Sequence, residues 1–419
     1  MSLILLCIFS IINIIVLLKS IRQSMGIMKF PTLAALVNLS FILPQLIAIY
    51  TSNPHSDTYM TLALSFMCSC SLAVPLGFYI GTIGNKKLRP HTSFQINKLP
   101  KVITLFIFIG LIAYILNRGE YKGGKPSGIF VIINFFSGFL NYALILTLIG
   151  FYAKRKKFFT LSLIILTVIA IDQFILQARR ASLIYFTLII AYFYLSNSTA
   201  SRSRIISCLI PILFFAGMVF NTVIGQYRLN AYGGQTNAIE NLESLNFSES
   251  GRKIAEYSNG EVNRGIICIN YVYANGTYDY GASNWNGIVS SLVPKSLFGS
   301  DFKKSWFIDS QNQKLVTLLT LEGSTLTGYY DSFASFGFFG FIKFLLISWI
   351  MGALWKRRST SQISLFLYLA LLTPALHLIT HSSDNFINSL IIYSLFAYPF
   401  IKTISIRAYP LSLHNRLES

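Results

Sequence analysis

The chain has 419 residues, of which 53% are hydrophobic and only 12% are charged, and its mean hydropathy is +0.58. A soluble domain of this length carries about twice that charged fraction, so the composition excludes an ordinary soluble protein. The formal net charge of +19 is typical of nucleic-acid-binding proteins. However, the basic residues occupy short connectors between apolar runs, where they set membrane topology, so we expect no nucleic-acid partner.

Long uncharged runs recur along the chain and predict an all-α integral membrane protein with about 11 transmembrane helices. The first run follows Met1 without a basic segment, so we interpret it as a span and not as a signal peptide. The predicted spans cover roughly residues 2–18, 31–50, 60–83, 102–116, 128–152, 159–175, 181–196, 205–224, 333–354, 363–380 and 386–403.

The connectors between these runs alternate in charge and predict the orientation. One set is strongly basic and has Glu418 as its one acid, whereas the other set holds nearly all the acidic residues. The positive-inside rule therefore places the N-terminus outside and the C-terminus inside. The basic set comprises Lys19, Arg22, Lys29, Lys86, Lys87, Arg89, Lys98, Lys101, Lys154, Arg155, Lys156, Lys157, Arg202, Arg204, Lys356, Arg357, Arg358, Lys402, Arg407 and Arg416.

This pattern divides the chain into three parts. Residues 1–224 hold predicted helices 1–8, residues 225–332 form one large external (periplasmic or extracellular) loop, and residues 333–419 hold helices 9–11 and a short cytoplasmic tail. Of the five cysteines, only Cys268 lies outside an apolar run, so no intramolecular disulfide is implied.

Arg179 and Arg180 occupy a six-residue turn on the predicted outer side, against the positive-inside trend. One interpretation is that they reach lipid phosphates, with one of them paired to Asp172. The other is a clamp for a lipid-linked diphosphate, because guanidinium groups bind phosphate oxygens in a bidentate manner. Because arginines on the outer side run against the positive-inside rule, the position of this pair favours the clamp.

Arg228, at the start of the external loop, would face the same outer interface, although a solvated loop arginine is the simpler alternative. Further along, basic residues that include Arg264 alternate with aromatic residues. Aromatic faces suit sugar rings, but most of these residues are better explained as a small core of the loop itself. The aromatic residues are Tyr271, Tyr273, Tyr278, Tyr280, Trp285 and Trp306.

The end of the loop and the last outer turn supply candidates for acid–base chemistry. Asp331 and Glu322 are candidate general bases just before predicted span nine, and His381 and Asp384 could shuttle a proton or contact a phosphate. The alternative for the last two is helix capping. Gly337 and Gly340, three apart, predict close helix packing on one face.

A metal site is expected to be absent. His377 and His381 share a helical face at a spacing that can hold zinc, with Asp384 as a conceivable third ligand. However, no acidic cluster or metalloprotease motif accompanies them, so contacts with neighbouring helices or substrate explain them better. The sequence also has no nucleotide-binding loop, so the energy for a reaction would have to reside in the substrate.

The chain resembles the bacterial O-antigen and capsule oligosaccharide repeat-unit polymerases of the Wzy type. The resemblance covers most of the chain as architecture, with ten to twelve spans and a large external loop in the second half. Its local elements are the outer turn 178–183, Arg228, the segment 292–298 and the segment 330–340. One departure is the last outer turn, where many of these polymerases carry an arginine and this chain has His381 and Asp384.

The resemblance implies a metal-independent glycosyltransferase of the cytoplasmic (inner) membrane with no cofactor. It would move a growing glycan from undecaprenyl diphosphate onto an incoming lipid-linked repeat unit. Membrane lipid, a chain-length regulator protein and a flippase are the further implied partners. Arg179, Arg180 and Arg228 would bind the diphosphate, and Asp331 or His381 would deprotonate the acceptor hydroxyl. Arg264, His377 and Asp384 are secondary candidates.

Three other classes of protein compete with this interpretation. A lipid-linked oligosaccharide flippase should place cations within its spans, yet Lys343 is the one basic residue deep in an apolar run. A ligase that moves glycan to lipid A or protein needs the same donor site, and sequence separates it poorly from a polymerase. A structural scaffold would leave the outward arginines unexplained.

Overall fold

The computed structural model describes residues 1–23, 25–52, 55–83, 91–117, 133, 136–154, 156–175, 180–197, 211, 260–293, 295–309 and 326–408. Within them the chain is mostly helical. The apolar helices of the first half are α1 (Ser2–Ile21), α2 (Phe30–Ser52), α3 (Asp57–Ile83), α4 (Leu99–Asn117), α5 (Phe139–Ala153), α6 (Lys157–Ile175) and α7 (Arg180–Asn197).

In the described residues of the second half, five helices precede the last spans. They are α8 (Glu261–Asn275), α9 (Ala282–Leu292), α10 (Lys295–Phe298), α11 (Ser300–Ser305) and α12 (Gly328–Phe336). A 3₁₀ turn over Gly337–Gly340 leads into α13 (Phe341–Arg357), followed by α14 (Gln362–Thr380) and α15 (Asp384–Ile404). Two short strands, β1 (His91–Phe94) and β2 (Ser405–Ala408), complete the described elements.

The apolar runs of the sequence correspond to helices. Every predicted span except 205–224, of which the structure describes residue 211 alone, overlaps one of them. Within the described part of the chain, seven segments are long and apolar enough to cross a membrane: α1, α2, α3, α4, the segment Gly328–Arg357, α14 and α15. The chain is therefore an all-α protein of the multi-pass membrane type.

Helices α3 and α13 pack backbone to backbone through three glycines. A Cβ atom added to Gly77 would lie 2.2 Å from the carbonyl oxygen of Leu345, and one added to Gly352 would lie 2.2 Å from that of Phe78. Gly81 makes the same close approach one turn after Gly77. Small residues spaced four apart allow such contact between membrane helices, where dispersion forces and not the hydrophobic effect drive association.

A buried hydrogen-bond chain joins the first two spans to α12. The Asn38 side chain donates to Asn13 Oδ1 over 2.9 Å, and the Tyr329 hydroxyl donates to Asn38 Oδ1 over 2.8 Å. All three side chains are buried. Asn38 begins a π-helical turn within α2, which aims its side chain away from the regular helical register. Because buried polar groups are costly without partners, this chain fixes one arrangement of the three helices.

The connectors predicted to be cytoplasmic contact one another. Strand β1 pairs antiparallel with β2, with His91 opposite Ala408. Next to this pair, the Thr92 hydroxyl donates to Ser361 Oγ over 2.6 Å, and the backbone amide of Phe94 donates to the Gln362 side chain over 2.6 Å. The connector between α3 and α4, the connector between α13 and α14 and the segment after α15 thus meet at one end of the helices.

The connectors predicted to be external meet at the other end. The backbone amide of Ser2 donates to Asp57 over 3.2 Å, and the Asn270 side chain donates to the Tyr59 carbonyl over 3.1 Å. His55 contacts Asn263. The grouping agrees with the charge alternation of the sequence. Which end faces the cytoplasm stays a prediction from that charge.

The described part of the predicted external loop is folded onto the spans. Helix α8 buries Val262, Ile266 and Ile269 on one face and ends at Gly276, whose φ of +63° is the left-handed conformation favoured at helix C-termini. The backbone amide of Val262 donates to Gln45 in α2 over 3.3 Å. The described part of the loop therefore covers the end of α2 and the start of α3.

Candidate functional site

A buried polar cluster lies where α9, α12, α13 and the turn before α15 meet. Its centre is the ion pair between Lys343 Nζ and Asp331 Oδ2, which are 3.4 Å apart. Their side chains are only 14% and 12% exposed. Charges this buried in a membrane protein are rare and mark functional positions, because each requires a partner.

Three neutral side chains complete this cluster. Asn284 Nδ2 donates to Asp331 Oδ1 over 3.0 Å, and its Oδ1 atom accepts a hydrogen bond from Lys343. Ser383 donates to Asp331 Oδ2 twice, from the backbone amide over 3.2 Å and from Oγ over 2.9 Å. Ser335 Oγ accepts from Lys343 over 2.7 Å. The site cluster, as we name these five residues, joins four separate elements.

The hydrogen-bonding of Asp331 bears on its predicted role as a general base. Both carboxylate oxygens accept hydrogen bonds, and Oδ2 accepts from Ser383 as well as from Lys343. Such bonds occupy the lone pairs that would receive a proton. The geometry suits a residue that holds these helix ends in place, and the role of base stays a prediction.

A helix break at Gly337 brings Asp331 and Lys343 together. In a continuous helix, twelve residues would separate them by about 18 Å along the axis. Helix α12 ends at Phe336, and Gly337 has a φ of +58°, which a side chain would strain. A Cβ atom added to Gly340 would lie 2.0 Å from the Ser332 carbonyl oxygen. The chain therefore folds back on α12.

One sequence interpretation is wrong here. Gly337 and Gly340 do not share the face of one helix; they form the turn between α12 and α13, because the positive φ of Gly337 ends the first helix. Lys343 lies in the first turn of α13, within the apolar segment Gly328–Arg357. Side chains of a helix lean toward its N-terminus, which lets the ammonium group of Lys343 reach α12.

His381, a predicted catalytic residue, follows the last turn of α14. Its Nδ1 atom lies 2.7 Å from Thr380 Oγ1, and its ring centroid is 4.8 Å from that of His377. Burial lowers the pKa of His381 below its usual value, so the ring is neutral near pH 7. A neutral imidazole can accept a proton from a hydroxyl group. His381 is two residues from Ser383 of the site cluster.

Asp384, a secondary candidate, begins α15. Its carboxylate accepts a hydrogen bond from Ser382, and a Cβ atom added to Gly287 of α9 would lie 2.6 Å from its Oδ2 atom. A side chain at position 287 would therefore force the Asp384 carboxylate to shift. Among the residues that the structure describes, no three His, Cys, Asp or Glu side chains come together as metal ligands.

Two of the predicted diphosphate-binding arginines, Arg179 and Arg228, lie outside the described residues. Arg180 is the first residue of α7, and its side chain is likewise outside the description. The clamp therefore stays a prediction. Asp172, the proposed partner of one arginine, accepts a hydrogen bond from the Tyr114 hydroxyl. Arg264 lies in the first turn of α8 and is half-buried.

A cavity of about 730 Å³ opens beside the site cluster. Its wall is the segment 275–282, which hydrogen-bonds to the end of α12: the Asp279 amide donates to the Ala334 carbonyl over 2.9 Å and the Tyr280 amide to the Ser335 carbonyl over 3.1 Å. The lining residues that matter chemically are Tyr278, Asp279, Tyr280, Trp285 and Asp309.

The wall of this cavity is held in an unusual conformation. Tyr280 has a φ of +51° and Gly281 a φ of +90°. A bulky residue in the left-handed region costs energy and persists where the surroundings impose it, which is common at binding sites. The Tyr280 side chain is 75% exposed. Backbone strain that presents an aromatic ring to solvent is consistent with a ligand-binding role.

Five of the six aromatic residues named in the predicted external loop are exposed. The expectation that they form a small core of the loop is wrong for these five. Trp285 and Trp306 stack with their ring centroids 6.3 Å apart, and the Trp285 indole donates to the Trp306 carbonyl over 2.7 Å. The core beneath them is supplied by the aliphatic face of α8. The exposed residues are Tyr271, Tyr273, Tyr280, Trp285 and Trp306.

Sequence reasoning did not single out Asn284, Ser335 or Ser383 as site residues. Each is a neutral polar residue whose importance depends on a partner distant in sequence. Lys343 did carry a signal, since a lysine within an apolar run requires a counter-charge. Searching for that counter-charge nearby in sequence would have found Asp331.

Comparisons with protein-family models, with curated proteins and with solved structures found no match to this chain. Fold and site by themselves define a multi-pass α-helical membrane protein with a buried ion-pair cluster and an aromatic cavity at one end of its helices.

Proposed function

We propose that this protein polymerises lipid-linked oligosaccharide repeat units on the outer face of the cytoplasmic membrane, in O-antigen or capsule synthesis. In this proposal it has about eleven spans, with the N-terminus outside and the C-terminus inside. The growing glycan is the donor, carried on undecaprenyl diphosphate, and an incoming lipid-linked repeat unit is the acceptor. The proposal extends the family resemblance of the sequence.

The observation that carries the proposal is the cavity next to the site cluster. Exposed Tyr280 and Trp285 offer apolar faces to the C–H faces of sugar rings, and Asp309 offers acceptors to their hydroxyl groups. The cavity lies at the end of the helices where the predicted external connectors meet. A lipid-anchored glycan would present its sugars at this level, with its lipid chain alongside the spans.

The proposed reaction exchanges one bond to the anomeric carbon for another. The bond from the donor sugar's C1 atom to the diphosphate oxygen breaks, and a bond from C1 to the acceptor hydroxyl oxygen forms. The hydroxyl proton passes to a base, for which neutral His381 is the candidate, and undecaprenyl diphosphate leaves. Arg179, Arg180 and Arg228 would stabilise the charge on that leaving group. Asp331 and Lys343 hold the surrounding helix ends.

A reconstituted assay tests this proposal. The purified protein in proteoliposomes receives a lipid-linked repeat unit in the presence of a chelator, and the products are measured by mass spectrometry. We expect lipid-linked species with two or more repeats and an equal amount of released undecaprenyl diphosphate for each bond formed. A substrate that moves across the bilayer without a change in mass would indicate a flippase and overturn the proposal.

A test in cells separates polymerase from ligase. Without the polymerase, cells that make O-antigen should show lipid A core bearing one repeat unit on a polysaccharide gel. Core that bears no repeat unit at all would indicate loss of a ligase or flippase instead. Neighbouring genes for sugar-nucleotide enzymes, glycosyltransferases and a flippase are a further expectation.

A further inference from the structure

Helix α9 lies alongside the first turns of the last span, α15. Gly287 contacts Asp384, and four residues later on both helices Asn388 Nδ2 donates to Ser291 Oγ over 3.2 Å. Equal spacing on both helices means that they run in the same direction. One helical turn rises about 5.4 Å, so the end of α9 at Leu292 lies at least one turn inside the level where α15 begins.

Residues 295–308, which we call the aromatic arm, return along α9. Lys303 Nζ donates to the Ser290 carbonyl over 2.9 Å. Further along, the Ile308 amide donates to Asn286 Oδ1 over 2.9 Å, and Asn286 Nδ2 donates to the Ile308 carbonyl over 2.8 Å. The arm thus forms a hairpin with α9. Because α9 ends at Leu292 and Lys303 reaches back to Ser290, the residues between Leu292 and Lys303, which include Phe298, form the tip of the hairpin at the C-terminal end of α9.

The tip of this hairpin exposes large apolar side chains. Leu297 is 66% exposed and Phe298 is 54% exposed. The Phe298 and Phe302 rings stack with centroids 5.5 Å apart, and Phe302 continues to Trp306 at 6.1 Å. A row of exposed aromatic rings is unfavourable in water but suits the boundary between lipid headgroups and acyl chains.

The charges of the aromatic arm fit the same boundary. It carries Lys295, Lys303 and Lys304 against one acidic residue, Asp301. Lysine side chains can bury their methylene groups among acyl chains and extend their ammonium groups to lipid phosphates. Asp301 lies in the first turn of α11, where a carboxylate interacts favourably with the helix dipole.

We propose that the aromatic arm is inserted into the membrane interface beside α15, with Leu297, Phe298 and Phe302 among the acyl chains and its lysines at the phosphates. The partner is the phospholipid of the leaflet around the outer ends of the spans. This segment of the predicted external loop is then an interfacial anchor. This inference does not depend on the catalytic activity, because it uses only depth, exposure and charge.

Photo-crosslinking tests this insertion. The photoreactive residue p-benzoylphenylalanine replaces Phe298 in the full-length protein, reconstituted in vesicles of phosphatidylethanolamine and phosphatidylglycerol. Leu395, exposed on α15 within a span, serves as the lipid-facing control, and Tyr273, exposed on α8, as the water-facing control. After irradiation, we expect phospholipid adducts by mass spectrometry at Phe298 and Leu395, with at least tenfold less at Tyr273.

Two outcomes overturn the proposal. One is a Phe298 variant that gives no more lipid adduct than Tyr273 while Leu395 reacts in the same preparation. The other is a crosslink from Phe298 to protein, which would identify the arm as a protein interface. A Phe298→Cys variant gives a second measurement: we expect a membrane-impermeant maleimide to label it at least tenfold more slowly in vesicles than Tyr273→Cys, and equal rates count against insertion. Native cysteines provide the background, measured in the parent protein.

Discussion

The ammonium group of Lys343 lies 3.4 Å from the carboxylate of Asp331, although a helix break separates the two residues. The pair is buried and supported by Asn284, Ser335 and Ser383. It ties helix α12 to the start of α13 and to the turn before α15.

Removal of either partner of this ion pair should destabilise the protein more than removal of both. Asp331→Asn leaves Lys343 buried without a counter-charge, and breaking such a pair costs about 3–5 kcal/mol. Lys343→Met leaves the Asp331 charge with its remaining hydrogen bonds and should cost less. The double variant Asp331→Asn, Lys343→Met should recover most of the loss. Thermal unfolding in detergent, followed by size-exclusion chromatography, measures this order, and additive losses would contradict it.

The stability of the protein should fall in acid because of His381. Burial lowers the pKa of this histidine, so the folded protein binds a proton less readily than the unfolded chain, whose histidines titrate near 6.5. The stabilising contribution is complete above that pH and is lost as the pH falls toward the folded pKa. Melting temperatures from pH 8 to pH 5.5 should decline less steeply in His381→Asn. An unchanged slope would show that other groups control the acid response.

The glycine contact between α3 and α13 should tolerate no side chain. In Gly77→Ala, the new Cβ atom meets the Leu345 carbonyl oxygen at 2.2 Å, so the helices must separate and lose packing along their length. Overpacking of this kind costs about 1–3 kcal/mol or more. Leu76→Ala is the matched control, because Leu76 is exposed on the same helix. We expect a lower melting temperature for Gly77→Ala alone, and equal behaviour of the two variants would contradict the packing.

If the three arginines bind the diphosphate, their replacement should abolish the polymer while the protein still inserts into the membrane. Arg179→Ala, Arg180→Ala and Arg228→Ala should each leave cells with only the core plus one repeat unit. Arg→Lys variants retain the charge but not the bidentate geometry, so they should lower kcat/KM by about tenfold or more. Membrane fractions probed for the protein serve as the control for insertion. Full-length ladders from all three alanine variants would exclude the clamp.

The aromatic cavity predicts an effect on substrate affinity. Trp285→Ala and Tyr280→Ala remove stacking faces that each contribute about 1 kcal/mol, so KM should rise about fivefold with little change in kcat. Tyr271→Ala is the control, since Tyr271 is exposed but does not line the cavity. A KM change in the control variant alone would assign the glycan to a different surface.

Hydropathy and charge predicted much of the fold because both act locally. The runs 60–83 and 363–380 lie within the helices Asp57–Ile83 and Gln362–Thr380 to within a few residues, since a long uncharged segment must satisfy its backbone groups as a helix. The run 333–354 predicted a helix but not the helix break at Gly337. It is uniformly apolar across Gly337, and apolarity does not encode the positive φ that breaks the helix there.

The site was predictable only in part. Asp331 and His381 could be named because carboxylates and imidazoles are chemically conspicuous at the mouth of a span. Asn284 could not, because its function is to accept from Lys343 and donate to Asp331, and both partners lie in other helices. Long-range pairing of neutral side chains leaves no local pattern in a single sequence.

The strand pair β1–β2 has a consequence for assembly in the cell. Its strands, His91–Phe94 and Ser405–Ala408, come from opposite ends of the chain, and the second follows the last span. During synthesis β1 emerges long before β2, so the edge of β1 that faces β2 stays unpaired until α15 has been made. Pairing of the two strands therefore waits for the C-terminal region, and a chain truncated before Ser405 would leave that edge of β1 open to proteases and chaperones.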